Sequence, residues 1–255
     1  MLKPIVRLTQ MSLSAAAICL ALASAEDAAA SDPNILLVAD PWCPYNCAAT
    51  QDSSNNGILI DLIREAVPNI TFDYKTVPWS RAIKMVLNGK AGGLVGAGRD
   101  EVPELIFPNK PMAYARHALF VRETDTWTYD GLDSLDNRRI GAISGYSYGY
   151  LKETYLDQNE HDNVQLVYGE KPFRQLLKQL ETGRVDTIVA EERVLMYFLR
   201  NKPEISRPRN AGIAFKEEIY IGFYPDHPDA QKITKALDAY PLRSRGDALL
   251  GHYMN

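Results

Sequence analysis

The feature that constrains this chain most is an alternation of strand-like and helix-like patterns that runs through it twice. Residues 34–39 ("NILLVA") form a continuous apolar run of strand length. Residues 57–67 ("GILIDLIREAV") set Ile58, Leu59, Leu62, Ile63 and Ala66 at the i, i+3, i+4 spacing of an amphipathic helix. "ITFDYKTV" reads as a strand, and "PWSRAIKMVLNGK" as a helix with proline at its start and Ile83, Val86 and Leu87 on its apolar face; "GGLVGAG" is a short buried strand. A second series runs "RIGAI", "YSYGYLKETYL", "VQLVYG", "PFRQLLKQLETG", "DTIVA" and "EERVLMYFLRN" as strand, helix, strand, helix, strand and helix. Such alternation predicts largely parallel sheets covered by helices.

Two extended apolar runs interrupt the series, residues 112–123 and residues 217–225, and two short helices follow the second. If both runs cross between the α/β units, the chain divides into a discontinuous first lobe, residues 26–121 plus 220–255, and an inserted second lobe, residues 122–219. Two lobes connected by paired crossings close over a ligand by hinge motion.

The N-terminus indicates where such a protein works. Lys3 and Arg7 precede a small-residue apolar stretch at 11–25, and "ALASAED" supplies an Ala-x-Ala pattern at Ala23 and Ala25, which together read as a secretory signal peptide over residues 1–25. The stretch is shorter than the roughly 20 residues of a spanning helix, and a lipid attachment at Cys19 fits poorly because Ile18 precedes it. Cleavage leaves about 230 of the 255 residues, enough for one large domain or two of about 100. The expected location is the periplasm.

The whole chain carries 28 basic and 32 acidic residues, and loss of Lys3 and Arg7 widens that acidic excess, so no basic surplus is left for nucleic acid. Cleavage also removes Cys19. Cys43 and Cys47, within "DPWCPYNC", remain, and in an oxidising compartment a pair four apart most simply forms one short disulfide. A zinc site needs about four ligands, whereas His117, His161, His227 and His252 are scattered. No metal and no cofactor are expected.

Taken in order, the phrases "ADPWCPYN", "GILIDLIREAVP", "VPWSRAIKMVLNGKAGGLVGAGR", "LIFPNKPMAYARHALFVR", "LDSLDNRRIGAISGYSYG", "LLKQLETGRVDTIVAEERVLMYFL" and "IYIGFYPDHPDAQKITKALD" resemble the family 3 extracellular solute-binding proteins that serve bacterial ABC importers. The resemblance covers residues 32–255. It implies the type II periplasmic-binding-protein fold, two α/β lobes with two crossing segments, acting as a monomer that closes on a small polar ligand, an amino acid or related amine, and delivers it to a membrane permease. A membrane sensor is the alternative partner.

In that family the ligand lies between the lobes and is touched at four places. The first is the loop after the first strand, where Trp42 and Tyr45 offer flat faces for an aliphatic or cationic ligand; the alternative is that they pack beneath their own loop. The second is "VGAGRDE", where many relatives carry a Thr-x-x-Arg that grips the ligand carboxylate. Arg99 is the nearest match, but it stands about two residues early, and strict spacing puts Glu101 at the arginine position. That departure opens the door to a cationic ligand such as a polyamine, with Arg99 then a surface charge.

The third place, residues 144–149 ("SGYSYG"), opens a predicted helix whose N–H groups, with the Ser147 hydroxyl, suit a carboxylate or other anion; Ser147 serves equally as an N-cap. The fourth is Glu191, five positions after Asp186, where relatives bind the ligand's amino group; helix capping is its other reading. Asp186 reads as structural. Arg81, in "PWSRA", is a further binding candidate, and Trp79 a core residue facing the same cleft.

The chain is read as a non-enzyme: it shows no Ser/His/Asp set, no metal cluster and no histidine within the cleft phrases. The one carboxylate pair nominated for acid–base work is Glu101 with Glu191.

Overall fold

A computed structural model describes residues 34–49, 55–157, 163–169 and 171–254. The expected signal peptide, Cys19 and the first residues expected in the first lobe lie outside the described residues. Among the described residues, no helix is long and apolar enough to cross a membrane.

Strands β1 (Asn34–Ala39), β2 (Thr71–Thr76) and β3 (Gly93–Ala97) alternate with helices α1 (Ile58–Ala66) and α2 (Trp79–Leu87). The two long strands β4 (Ala113–Val121) and β8 (Arg209–Phe223) frame a second series: β5 (Ile140–Ile143), β6 (Val164–Val167), α3 (Pro172–Glu181), β7 (Thr187–Glu191) and α4 (Glu192–Leu199). Helices α5 (Ala230–Ala239) and α6 (Leu242–Met254) close the chain's described part.

The strands lie in the order β2-β1-β3-β8-β4-β7-β5-β6. β1 pairs in parallel with β2 and β3, and β5 in parallel with β6 and β7. The central pairings of β8 with β3, β8 with β4 and β4 with β7 are antiparallel. Two parallel trios are thus joined by an antiparallel ribbon. β8 serves both sides, because its residues up to Ile219 pair with β4 whereas Tyr220–Phe223 pair with β3.

The inner strands β1, β3, β5 and β7 are buried on both faces, which is why they are almost continuously apolar, whereas the edge strand β2 alternates and the edge strand β6 is only partly buried. In the first lobe, Leu37, Ile58, Leu62, Ile63, Phe223 and Ile233 pack on one face, and Val38, Val86, Leu94 and Leu105 on the other. In the second, Phe120, Leu176, Ile188 and Leu195 face Leu119, Ile140, Tyr148 and Val189 across the sheet.

Three expectations change. β8 starts at Arg209, eight positions before the predicted run, because Arg209–Phe215 continue the ribbon against β4. Leu87 is exposed at the end of α2, where Ala82 and Val86 carry the buried face. The helix predicted over "YSYGYLKETYL" is shortened: residues 146–149 are loop and turn, helical structure begins at Tyr150, and Lys152–Leu156 form a π-helical turn. The Tyr148 hydroxyl accepts the Ile143 N–H at 2.8 Å, tethering the segment back to β5 before a regular helix can start.

Candidate functional site

The site begins with the stapled loop. Cys43 and Cys47 are disulfide-bonded, and the loop sits on the N-terminus of α1, whose first N–H groups have no partner of their own within the helix. Pro44 O accepts from Ile58 N at 2.9 Å and Tyr45 O from Leu59 N at 2.9 Å, while Cys47 N donates to Asn56 O at 2.8 Å. The contact is so close that a Cβ on Gly57, whose φ is +103°, would lie 2.6 Å from the Asn46 Cα and from Tyr45 O. Glycine is required there both by backbone conformation and by space.

This loop, β3, the β4–β8 ribbon and the 144–149 loop of the second lobe enclose a cavity of about 50 Å³. Its walls include the aromatic rings of Trp42, Trp79 and Tyr146, the carboxylates of Asp40, Glu101 and Glu217, and His117, Asn46, Ser147 and Gly96. A larger cleft of about 730 Å³ shares Glu101, Tyr146, Ser147 and Glu217 with it and adds Arg99, Asp100, Lys152, Glu153, Lys216 and Glu218.

Each carboxylate of the inner cavity meets a neutral donor or the imidazole. Tyr146 OH donates to Asp40 Oδ2 at 2.9 Å, Trp79 Nε1–H to Glu101 Oε1 at 2.8 Å, and Ser147 OH to Glu217 Oε1 at 3.4 Å. His117 Nε2 lies 3.1 Å from Glu217 Oε2. Burial pushes the Asp40 carboxyl up to about 6 against the pull of the Tyr146 hydrogen bond. The Glu101 carboxyl is pushed up to about 7, chiefly by burial and further by the charges of Glu217 and Asp40, with the Trp79 bond opposing. Desolvation and like charge act in the same direction on such groups.

His117 is buried, stacked on Phe215 with centroids 4.3 Å apart and planes 7° from parallel, and its Nδ1 has no hydrogen-bond partner among the described residues. Asn46 is 1 % exposed; its Nδ2 donates to Asp40 O at 2.6 Å, whereas its Oδ1 has no partner among the described residues. Among those residues, no group of three or more His, Cys, Asp or Glu is arranged to hold a metal ion.

The residues nominated from sequence divide. Trp42 and Ser147 line the inner cavity. Tyr45 does not: at 1 % exposure it stacks beneath Trp42, centroids 4.8 Å apart, and supports it. Glu191, 2 % exposed, also lies outside the cavity walls. Its Oε2 accepts from Val194 N at 2.7 Å, capping α4, and its Oε1 accepts from Arg116 N and from Tyr45 OH, each at 3.0 Å. The capping reading therefore describes it, and the nominated pair of Glu101 with Glu191 does not share a site.

Arg99 is exposed at the rim of the outer cleft, its guanidinium donating to Pro108 O and lying 4.7 Å over the Tyr220 ring. Arg81 is exposed on α2 and lines neither chamber. The anion site expected at a helix start by Ser147 is replaced by a loop whose serine faces a carboxylate. Asp186 is structural as expected: it accepts from Arg139 Nε at 2.9 Å and Nη2 at 2.8 Å, which holds its carboxyl down at about 2.

Asp40, Asn46, His117 and Glu217 were not nominated from sequence, and the statement that no histidine falls in the cleft phrases is corrected by His117 in "AYARHALFV". Strand alternation offered the missing signal. On β8, Phe215, Glu217 and Ile219 alternate along the strand: Phe215 borders the larger cleft, Ile219 the inner cavity and Glu217 both.

No family model matches the chain, and no curated protein matches it in sequence. Solved structures do. A histidine kinase sensor domain with similarity to periplasmic binding proteins superposes with a TM-score of 0.69 at 17 % identity, over 87 % of this chain and 96 % of that one. The GluR0 ligand-binding core in complex with L-glutamate gives 0.69 at 14 %, over 88 % and 100 %. An amino acid ABC transporter substrate-binding protein of Streptococcus pneumoniae bound to L-arginine gives 0.63 at 20 %, over 88 % and 94 %. Likeness of this extent over nearly whole chains, with the β4–β8 ribbon joining two parallel trios, shows that the chain has the two-lobed α/β fold of the type II periplasmic binding proteins.

Proposed function

We propose that this protein is a family 3-type solute receptor of the periplasm, closing on a small polar ligand without turning it over and presenting the closed form to a membrane permease or sensor. The observation that carries this reading is the cavity enclosed by both halves of the molecule, with hydrogen bonds crossing it from Tyr146 to Asp40 and from Ser147 to Glu217. Groups that meet only when the halves approach give a ligand between them leverage over closure, since a ligand shifts a two-state equilibrium by its differential affinity for the two states.

The Cys43–Cys47 disulfide supports an oxidising compartment. The neighbours of this fold include a sensor domain, a receptor ligand-binding core and a transport protein, and import and sensing make the same demand on the cleft. A thermal-shift screen of amino acids, amines and organic acids tests the reading, because a ligand at 100 times its dissociation constant raises stability by about 2.7 kcal/mol. Small-angle scattering should then show a smaller radius of gyration with ligand. A panel-wide absence of both effects, or product formed from the bound compound, counts against it.

A further inference from the structure

The charge inside the cavity is one-sided. Asp40, Glu101 and Glu217 enter from three separate segments, no lysine or arginine side chain lines the inner chamber, and only the His117 imidazole stands against them. Each carboxylate has about four acceptor positions, and the neutral donors described above use few of these. An independent sign comes from Asn46, 1 % exposed, whose Oδ1 faces the wall without a donor among the described residues. Gly96, at φ +87°, leaves room for that buried oxygen, since a Cβ there would lie 2.9 Å from it. The unmet requirement of this chamber is for hydrogen-bond donors carrying positive charge.

A ligand carboxylate would find the opposite. The Arg99 guanidinium is turned to Pro108 O and the Tyr220 ring, and the 144–149 segment offers Ser147 already directed at Glu217. Trp42 and Trp79 provide flat apolar surface suited to methylenes and to the face of a cation. About 50 Å³ is room for roughly four water-sized groups at 10–15 Å³ each, so the part of the ligand held there is slender. The shared walls at Glu101 and Glu217 lead to the outer cleft, where Asp100, Glu153 and Glu218 add further acidic groups beside Arg99, Lys152 and Lys216.

Building on the receptor reading, we infer that the ligand is a linear organic dication of the diamine class, without a carboxylate. One ammonium sits among Asp40, Glu101, Glu217 and Asn46 Oδ1, and the second lies toward the outer cleft. Two positive charges match the carboxylate excess that one ammonium leaves unbalanced.

The test is isothermal titration at pH 7.5 of the purified protein with 1,4-diaminobutane, n-butylamine, 4-aminobutanoate, L-glutamate and L-arginine. The expected result is that the diamine binds at least tenfold more tightly than butylamine, and that 4-aminobutanoate gives no heat. Glu101→Gln and Asp40→Asn should each weaken diamine binding at least tenfold while the unliganded protein still melts cooperatively by circular dichroism. Should either variant fail to fold, the comparison of diamine with 4-aminobutanoate on the unaltered protein decides alone. Tighter binding of 4-aminobutanoate or of either amino acid overturns the diamine assignment and leaves the receptor reading standing. A diamine-to-butylamine ratio below ten overturns the dication assignment. No binding by any of these five, nor by organic acids in the thermal-shift screen, defeats the receptor reading itself.

Discussion

The Tyr45 hydroxyl donates to Glu191 Oε1 at 3.0 Å, so the loop after β1 is hydrogen-bonded to the end of β7 across 146 residues of sequence. Arg193 Nη1 donates in turn to the Tyr45 oxygen at 3.1 Å and to Tyr114 O at 2.9 Å, extending the network from the buried carboxylate to the surface. Burial, and after it the charge of Glu191, raises the Tyr45 hydroxyl well above the usual tyrosine range, so it remains a donor at any working pH. Tyr45→Phe removes that donor and leaves a buried carboxylate short of one bond. A loss of about 1–3 kcal/mol is expected, read as a lower urea midpoint at unchanged slope; an unaltered midpoint would show the contact to be energetically silent.

Glu191→Ala should cost more, since it removes the α4 cap, worth about 1 kcal/mol, together with the partner of Tyr45. The effect expected is on stability, by roughly 2–4 kcal/mol. A diamine dissociation constant that worsens hundredfold while the melting temperature stays fixed would instead return Glu191 to the binding site.

The unliganded protein should lose stability as pH rises from about 5 to about 8. Burial raises Asp40 to about 6 and Glu101 to about 7 in the folded state, above the ordinary values of 3.8 and 4.5, so between those limits the folded protein holds protons that the unfolded chain has released. The slope is therefore negative with increasing pH, and each displacement corresponds to roughly 3 kcal/mol when taken alone. Tyr146, Trp79, Glu217 and His117 are the groups facing this pair. Asp186, held down at about 2 by Arg139, is ionised in both states across this window and contributes no slope. Chemical denaturation at pH 5, 6, 7 and 8 checks the sign. A diamine should reverse the trend, binding more tightly at pH 8 than at pH 5 because it favours the ionised carboxylates.

Breaking the Cys43–Cys47 bond opens a loop of only five residues, and the chain-entropy treatment gives about 2 kcal/mol for a loop that short. The double variant Cys43→Ser with Cys47→Ser should fold with a lowered melting temperature and bind its ligand several-fold more weakly, because Trp42 rides on the loop. Equal affinity in the two forms would show that Trp42 is positioned by its stacking on Tyr45 alone.

Gly57→Ala should be more damaging than removing the staple, by more than about 2 kcal/mol. The left-handed φ and the 2.6 Å approach to the Asn46 backbone both oppose a Cβ. A thermal melt within a degree of the parent would mean that the loop moves aside freely.

Much of this architecture was legible from sequence, because parallel strands buried on both faces and amphipathic helices leave strong periodic signals. The site was less so. Spacing put Glu101 where relatives carry arginine, and the fold does bring Glu101 into the cavity. Glu191 was misassigned because a carboxylate at the junction of a strand and a helix serves a ligand or a cap equally well in sequence terms, and only the Val194 and Arg116 N–H groups decide between them. His117 and Glu217 escaped because they lie on different strands of the ribbon: His117 pairs with Phe215 and Glu217 with Ala115, so the two meet only diagonally across the ladder. Ser147 falls three residues before the helical turns that start at Tyr150, in a loop where the Tyr148 hydroxyl accepts from Ile143 N.

The Tyr253 hydroxyl accepts the Gly57 N–H at 2.9 Å and donates to Asp61 Oδ2 at 2.8 Å, 196 and 192 residues away in sequence. In an exported chain that emerges from its N-terminal end, the start of α1 therefore appears long before the residue that completes it. The whole second α/β unit can emerge and pack in the interval, given that domains fold as units. The part of the protein begun first is the part finished last, and until Tyr253 arrives the stapled loop rests on a helix whose own N-terminus is incomplete.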